Sequence, residues 1–409
     1  MNGHLCIVIA VPYINLADQW RENLNLFKIN SIPCYRSRTI WFKRLGEAVS
    51  AFNAGARDYL CIVVVNATLN TDEFQGFLKS IPADKMLWIG DECHHHGSKR
   101  LNEALPNDAK FRIGLSATPE HYIDSEANAR LSAYYGQVVA CYSLFQAIKD
   151  GVLTPYKYYP HTVTLTETET ETYYDLSRQI SMLMAAKLGG SRLSETQEKS
   201  LEKLLRDRAR LIGSAQNKIP ALRRVLGHRK AERHTLFYCG DGTMLTDEAD
   251  DETFKRQIEV ISNELYELGW KTSRFTSEES PKVRNDILSN FRVGAIDAMV
   301  AIRCLDEGID IPACRSAFLL ASARNPRQFI QRRGRILRKA PDKEFSVVYD
   351  FFVQLPESDN EETFIIEKRL VEAELQRVAE FANMSLNPTD SYQSLEPLLK
   401  KYDLEHLIS

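Results

Sequence analysis

The sequence is poor in net charge, in long apolar runs and in paired cysteines, and each shortage excludes a class of protein. Its 52 basic and 55 acidic residues leave a formal net charge of −3, so a bound nucleic acid would need a local groove rather than a cationic surface. No apolar run reaches the roughly 18 residues that a membrane span requires. The eight cysteines are scattered without a CxxC pair, which is typical of buried thiols in a reducing cytosol. We therefore expect a cytoplasmic protein with no membrane partner.

What the sequence does contain is an alternation of short apolar runs with amphipathic stretches, in both halves of the chain. Runs such as "YLCIVVV" (59–65) and "MLWIGDE" (86–92) read as buried strands. The pattern returns at "TLFYCG" (235–240), and the apolar spacing from Phe254 to Leu268 predicts a helix face. Buried strands that alternate with helices are typical of parallel sheets. We predict an α/β protein with two tandem domains, a helical segment in the second and a helical tail: 1–155, 156–355, about 168–229, and 356–409.

The stretch "WIGDECHHHG" (88–97) carries the first candidate chemistry. Asp91 and Glu92 follow an apolar strand, and ligands of open parallel sheets bind at the carboxyl ends of strands. Two adjacent acids can hold Mg²⁺ and orient a water for phosphoryl transfer. A zinc site at 93–96 is the alternative, but four consecutive residues cannot all point at one tetrahedral ion. A solvated acidic loop is the third interpretation.

Three later stretches favour the phosphoryl interpretation. They are "GLSATPE" (114–120), "AIRCLDEGIDIP" (301–312) and "QFIQRRGRILR" (328–338). On a helix, Arg335 and Arg338 would share a face, and two guanidinium groups suit the charge of a triphosphate. The other interpretation of this run is a solvated basic helix. In the helical segment, "LEKLLRDRARLIG" (201–213) is open between a nucleic-acid-facing arm and a linker helix.

In this order, "DECH", "SAT", "LDEGIDIP" and "QRRGRILR" resemble motifs II, III, V and VI of superfamily 2 helicases and translocases. "VPYINLADQW" resembles motif Ia, "VVVNATL" motif Ib, and "TLFYCGDG" motif IV. The matches cover residues 7–338. Motifs V and VI resemble the restriction-type and repair-type branch that tracks along duplex DNA more than the DEAD-box RNA branch. The resemblance implies two RecA-like domains, ATP and Mg²⁺ as cofactors, and nucleic acid, specifically duplex DNA, as a partner.

The resemblance also implies roles for individual residues. Asp91 would coordinate Mg²⁺ and Glu92 would act on the hydrolytic water. The full catalytic set would be Asp91, Glu92, Gln331, Arg335 and Arg338, with the arginines supplied across an interdomain cleft. Further nucleotide contacts would come from Gly308 and from Asp310, the latter near the ribose. The residues that couple nucleotide state to nucleic acid would be His94, which would bridge to Gln331, together with Ser116 and Thr118. Nucleic-acid contacts would come from Pro12, Thr68, Gly240 and Arg303.

Motif I of the family, the phosphate loop GxxxxGK[ST], is the one departure. None of the 19 glycines is followed by lysine, and motif Ia begins eleven residues from Met1. We expect an N-terminally truncated first domain that is a fragment or downstream start of a longer helicase, or that receives the loop from another chain, or that has lost hydrolysis. We also expect a partner chain that completes this domain, and no ATP turnover by the chain alone.

These observations leave three functions open. The first is the motor portion of an ATP-dependent superfamily 2 DNA helicase or translocase, which is incomplete without a phosphate loop supplied upstream or by a partner. The second is a non-catalytic nucleic-acid-binding or scaffold module of a larger defence or repair complex. The third is an RNA helicase. An upstream reading frame that contains GxxxxGK[ST] would separate the first from the second, and substrate preference would separate the third.

Overall fold

The structure is a computed structural model. The chain folds into two compact units, Met1–Cys141 and Tyr142–Ser409. We describe each unit by itself. The domain limits predicted at 155 and 355 stay predictions. The structure describes residues 3–117, 125–188, 194–227, 229–240, 242–248, 251–276, 278–302, 311, 313–321, 334–356, 372, 375–376 and 378–408.

The first unit is built on a five-stranded sheet in the order β2-β3-β1-β4-β5, in which every pairing is parallel. Its strands are β1 Leu5–Val11, β2 Ile32–Cys34, β3 Tyr59–Val65, β4 Met86–Asp91 and β5 Phe111–Leu115. Its helices are α1 Ile14–Leu26, α2 Arg38–Asn53, α3 Asn66–Leu69, α4 Asp72–Ser80, α5 Lys99–Glu103 and α6 Ser125–Tyr135.

The central strands of this sheet are buried on both faces, which explains their unbroken apolar sequences. In β3, Ile62 and Val64 join the cluster formed with α2 and α4, whereas Cys61 and Val63 join the cluster formed with α1. Alternate residues of a strand point to opposite faces, so two helical layers require apolar residues at every position. The sheet is therefore a rigid platform whose strand ends can carry a site.

The second unit holds a six-stranded parallel sheet in the order β10-β11-β7-β12-β13-β6. Its strands are β6 Tyr156–Thr164, β7 Thr235–Cys239, β10 Thr272–Phe275, β11 Ala298–Ile302, β12 Ser316–Leu319 and β13 Ser346–Gln354, and an antiparallel hairpin comprises β8 Thr243–Glu248 and β9 Asp251–Arg256. Its helices are α7 Leu144–Lys149, α8 Glu167–Leu188, α9 Glu195–Gly213, α10 Lys218–Leu226, α11 Gln257–Glu267, α12 Pro281–Arg292 and α13 Pro388–Lys401. Two parallel sheets covered by helices confirm the predicted α/β class.

Helices α8 and α9 form a hairpin with a small core of its own. Ile180 of α8 and Leu201 of α9 are buried against each other's helices. Arg208 is also buried, and its Nη1 donates to Ser177 Oγ at 3.1 Å. The arginine that looked like part of a basic arm is therefore turned inward, toward the neighbouring helix.

Helix α13 covers the edge of the second sheet. Tyr158 of the edge strand β6 donates its main-chain N–H to Asn387 Oδ1 at 2.7 Å, and its carbonyl accepts from Ser391 Oγ at 2.8 Å. Side chains thus satisfy main-chain groups that an edge strand otherwise exposes. Among the helices that the structure describes, none is both long enough and apolar enough to cross a membrane.

Three details of the secondary structure differ from the prediction. Phe254, assigned to a helix face, lies in β9 opposite Leu245, and α11 begins only at Gln257. The segment between Leu245 and Phe254 is acidic and shows no alternation of apolar residues that would indicate a hairpin. The strands β2 and β10 were not predicted because they have only three and four residues. Pro33 is tolerated in β2 because this strand is at the sheet edge.

Candidate functional site

Four of the predicted residues lie at the carboxyl ends of four neighbouring strands of the first sheet. Thr68 follows β3, Pro12 follows β1, Asp91 ends β4, and Ser116 follows β5. Because these strands are adjacent and parallel, their carboxyl ends lie along one edge of the sheet. The fold therefore brings together, at the usual ligand-binding edge, residues that are far apart in the sequence.

The carboxylate of Asp91 is held by two donors. Trp20 of α1 donates its indole N–H to Asp91 Oδ2 at 2.7 Å, and the main-chain N–H of Glu92 donates to Asp91 Oδ1 at 3.0 Å. A carboxylate has about four lone-pair positions, so room remains for a further ligand. The sequence analysis missed Trp20, because its spacing on α1 indicated only an apolar helix face and 71 positions separate it from Asp91.

Glu92 turns the chain sharply out of β4. Its φ of 47° and ψ of 48° place it in the left-handed region, which is strained for a residue with a side chain. The 3-10 helix Cys93–Gly97 begins directly after it. Strain of this kind is concentrated at functional sites, where it fixes the direction of a reactive group. Asp91 and Glu92 are called the acid pair below.

His94 links the acid pair to the next strand end. Its Nδ1 lies 3.2 Å from Ser116 Oγ and 3.4 Å from Glu92 Oε2, and the ring is almost completely buried. The two predicted coupling residues His94 and Ser116 are therefore in direct contact. Thr118 and Gln331, which were assigned to the same coupling, lie outside the described residues.

His94 and His96, the first and third histidines after the acid pair, have different polar partners. His94 contacts Ser116, whereas His96 Nδ1 lies 2.7 Å from Tyr135 Oη. Within the part of the chain that the structure describes, no three His, Cys, Asp or Glu side chains are grouped as metal ligands. Magnesium normally binds one or two carboxylates and completes its shell with phosphate oxygens and water. The acid pair, with a carboxylate at the end of a buried strand, fits a magnesium–nucleotide complex of this kind.

In the second unit, the main chain around the predicted arginines is firmly anchored. The motif VI segment (334–338) ends in an antiparallel bridge between Arg338 and Leu153. Lys343 Nζ donates to the carbonyls of Ile336 at 2.6 Å and Arg338 at 2.8 Å. Burial lowers the pKa of Lys343 to about 8. Within the described part of this segment, residues 334–336 are helical and Arg338 lies in the bridge to Leu153.

Gly240, a predicted nucleic-acid contact, follows β7 and donates its main-chain N–H to Gln257 Oε1 at 2.6 Å. The other end of the Gln257 amide donates to the carbonyl of Gly213 at 3.1 Å, at the end of α9. The side chain thus ties the turn after β7 to the helical segment. The remaining predicted residues Arg303, Gly308 and Asp310 lie outside the described residues.

Comparison with known families gives two matches. Residues 3–121 match the family described as the type III restriction enzyme, res subunit, and residues 217–340 match the helicase conserved C-terminal domain. The first match covers the acid pair and the second covers the motif VI segment.

Two relatives align with most of this chain. DNA 3'-5' translocase XPB2 of Sulfurisphaera tokodaii is 25% identical over 350 residues, which are 82% of this chain and 70% of the relative. Rad25 of Haloarcula marismortui is 24% identical over 340 residues, which are 82% of this chain but 44% of the relative. This chain therefore spans only part of the length of either relative.

A solved structure shows the same fold. The ATP-dependent type ISP restriction-modification enzyme LlaBIII, bound to DNA, has a TM-score of 0.56 and 16% identity, and the match covers 98% of this chain and 29% of that enzyme. The motifs, the two parallel sheets and the family matches agree. The chain belongs to the superfamily 2 helicases of the restriction and repair type.

Proposed function

We propose that this chain is the motor portion of an ATP-dependent DNA translocase. The observation that carries the proposal is the single sheet edge that presents the acid pair, the His94–Ser116 contact and the predicted nucleic-acid positions Pro12 and Thr68. Nucleotide chemistry and strand contact on the same rigid edge allow one to influence the other. Members of the family use ATP and Mg²⁺, and we propose the same cofactors here.

The acid pair supplies the protein's part of the hydrolytic chemistry. Asp91, oriented by the Trp20 indole, would hold Mg²⁺, which would supply positive charge for a bound nucleotide. Glu92, fixed by its left-handed backbone, would orient and deprotonate the attacking water. The resemblance predicts that Arg335 and Arg338 would stabilise the charge that develops on the transferred phosphoryl group.

We propose that a phosphate loop reaches this site from outside residues 1–409. Support comes from β5, which pairs with β4 on one side and with no described strand on the other. Ile113 and Leu115 of this edge strand are 45% and 40% exposed, which is unusual for apolar residues in a parallel sheet. A further strand beside β5, from this protein or from a partner chain, would pair its main-chain groups and cover these side chains.

DNA is favoured over RNA as the nucleic acid. The Sulfurisphaera relative is named a DNA translocase, and LlaBIII was solved bound to DNA. Both likenesses extend over most of this chain. We therefore propose duplex DNA as the track.

The test has a binding arm and a turnover arm. Labelled duplex DNA and duplex RNA are titrated with the full chain, and ATP hydrolysis is measured with and without duplex DNA. Glu92→Gln is the active-site variant, and Glu47→Gln, an exposed acid on α2, is its matched control. We expect preferential DNA binding by the wild type and both variants, and turnover only after a phosphate-loop segment is supplied, either fused before Met1 or as a partner chain. Either form is called the extended protein.

The outcomes separate the candidates. DNA-stimulated turnover by the extended protein that is lost in Glu92→Gln and kept in Glu47→Gln supports the motor. DNA binding without turnover by the extended protein identifies a binding module instead. Stronger binding to RNA, or no binding to either duplex, refutes the proposed DNA translocase.

A further inference from the structure

His96 is the third histidine after the acid pair, and its environment differs from that of an ordinary core residue. Its side chain is completely buried. Both ring nitrogens nevertheless have polar partners: Nδ1 lies 2.7 Å from Tyr135 Oη, and Nε2 lies 3.3 Å from Asn66 Oδ1. The two partners come from different elements, α6 and the start of α3.

The hydrogen bonds around His96 have a consistent direction. The Trp88 indole N–H can only donate, and it donates to Tyr135 Oη at 3.0 Å. The Tyr135 hydroxyl then donates its own proton to His96 Nδ1. With Asn66 Oδ1 as the acceptor at the other ring nitrogen, this direction assigns the proton of the neutral imidazole to Nε2. We call this chain of four residues, Trp88 to Tyr135 to His96 to Asn66, the relay.

Two glycines make room for the relay beside the acid pair. Gly90 of β4 and Gly114 of β5 are register partners in neighbouring strands. A Cβ on Gly90 would collide with Tyr135 Oη and lie 2.8 Å from His96 Cε1, and a Cβ on Gly114 would lie 3.0 Å from the Tyr135 ring. The relay therefore packs against the sheet at two neighbouring positions that lack a side chain, and one of them, Gly90, directly precedes Asp91.

The far end of the relay is the turn that carries a predicted nucleic-acid contact. Asn66 is the first residue of α3, a single helical turn that includes Thr68. Asn66 is buried, so its side chain anchors the turn to the protein interior, whereas Thr68 is partly exposed. Movement of the acid pair or of α3 would therefore be transmitted to the other through the His96 ring.

We propose that His96 is a positioning residue that joins the acid pair to the α3 turn, so that the relay sets the geometry with which Thr68 meets DNA. This inference rests on the proposed function, because it takes the α3 turn to be a DNA contact. A histidine that only fills the core would contribute to stability but would leave DNA affinity unchanged when the relay is broken. The two roles therefore differ in a measurable way.

Tyr135→Phe breaks the relay by removing one oxygen, and Tyr134→Phe is a matched control. Tyr134 is the preceding residue on α6, is also buried, and donates its hydroxyl to the carbonyl of Pro106 at 3.0 Å. Each variant therefore loses one buried hydroxyl hydrogen bond on the same helix. Urea unfolding of the full-length variants checks that both are folded.

The first measurement is the affinity of the full chain for a labelled duplex by fluorescence anisotropy. We expect Tyr135→Phe to weaken binding about fivefold or more, within the range of ordinary site-to-site coupling, and Tyr134→Phe to leave it unchanged. Equal effects of the two variants, or no effect of Tyr135→Phe, would overturn the inference. If the wild type binds DNA and Tyr135→Phe binds it equally well, only the inference is overturned. If the wild type does not bind DNA, the proposed function is overturned as well.

The second measurement reads the relay directly and needs no DNA. ¹⁵N NMR of the histidine rings distinguishes the two neutral tautomers. We expect His96 to carry its proton on Nε2 in the wild type and in Tyr134→Phe, and to lose this fixed pattern in Tyr135→Phe. A proton on Nδ1 in the wild type contradicts the direction of the relay, whatever the DNA result.

Discussion

The burial of His96 predicts an acid sensitivity of the first unit that one substitution removes. Burial, with a smaller contribution from the neighbouring His95, lowers the pKa of His96 from an ordinary value of 6.5 to about 3. Burial also raises the pKa of Tyr135 well above its usual range, so this partner stays neutral. Between pH 6.5 and 3 the unfolded chain binds a proton at position 96 that the folded protein does not. The stability due to this group is therefore present above pH 6.5 and is lost as the pH falls toward 3.

The size of the effect follows from the pKa difference. Each unit is equivalent to about 1.4 kcal/mol, and pH 5 lies about one and a half units below the unfolded pKa. The wild type should therefore lose about 2 kcal/mol of unfolding free energy between pH 8 and pH 5 through this group alone. His96→Gln keeps a donor and an acceptor on the side chain but cannot titrate. The difference in unfolding free energy between wild type and variant should fall by the same amount over this pH range.

Urea unfolding followed by tryptophan fluorescence measures this difference. Three of the four tryptophans, Trp20, Trp41 and Trp88, are in the first unit, and the Trp88 ring lies 6.1 Å from the His96 ring. Any pH-independent change in unfolding free energy that the glutamine causes cancels when the two pH values are compared. His406→Gln, which removes an exposed imidazole from the second unit, is the control for loss of a histidine. A difference that stays constant from pH 8 to pH 5 would show that His96 is accessible to protons in the folded protein, and would refute the reasoning.

Three further substitutions, one of them with a matched control, test the packing and the anchoring described above. Gly90→Ala should lower the unfolding free energy by about 1–3 kcal/mol or more, because the added Cβ meets the Tyr135 hydroxyl, whereas Gly76→Ala, in open space within α4, should raise it by about 0.5–1 kcal/mol in the same urea titration. Trp20→Phe should cost about 1.5–3 kcal/mol, measured by circular dichroism in urea, through the lost hydrogen bond to a carboxylate; no change would mean that this bond is absent in solution. For Lys343→Met, the wild type should gain stability over the variant as the pH rises from about 8 to 10.5, because the unfolded chain binds more protons there; a gap that narrows with pH would contradict the lowered pKa.

The inner strands of both sheets could be predicted because burial on two faces leaves an unbroken apolar run in the sequence, whereas the short edge strands β2 and β10 leave none. The acid pair could be predicted for a related reason, since polar residues directly after such a run must lie at a strand end. The partner of Asp91 could not be predicted in this way. Trp20 reads as one apolar residue of an amphipathic helix, and only the tertiary fold brings its N–H to a carboxylate 71 positions away.

The relay was missed for a different reason. Three consecutive histidines look equivalent in the sequence, but the strained turn at Glu92 and the 3-10 helix after it send them to different environments. One signal was available. An Ile-Gly pair occurs near the end of both β4 and β5, and glycine within a buried strand often marks the close approach of another group. The two glycines indicated space beside the sheet, although they did not indicate that Tyr135 occupies it.

The arrangement around the acid pair has a consequence for how the site works. A buried polar network is costly unless every member finds a partner, and in the relay each donor has an acceptor. The carboxylate of Asp91 is likewise oriented by Trp20 before any ligand arrives. The first unit therefore orders these side chains when it folds, and under the proposed function nucleotide binding would not need to supply that ordering free energy. Binding energy would then remain for a change at the α3 turn, which is the coupling that the proposed translocase requires.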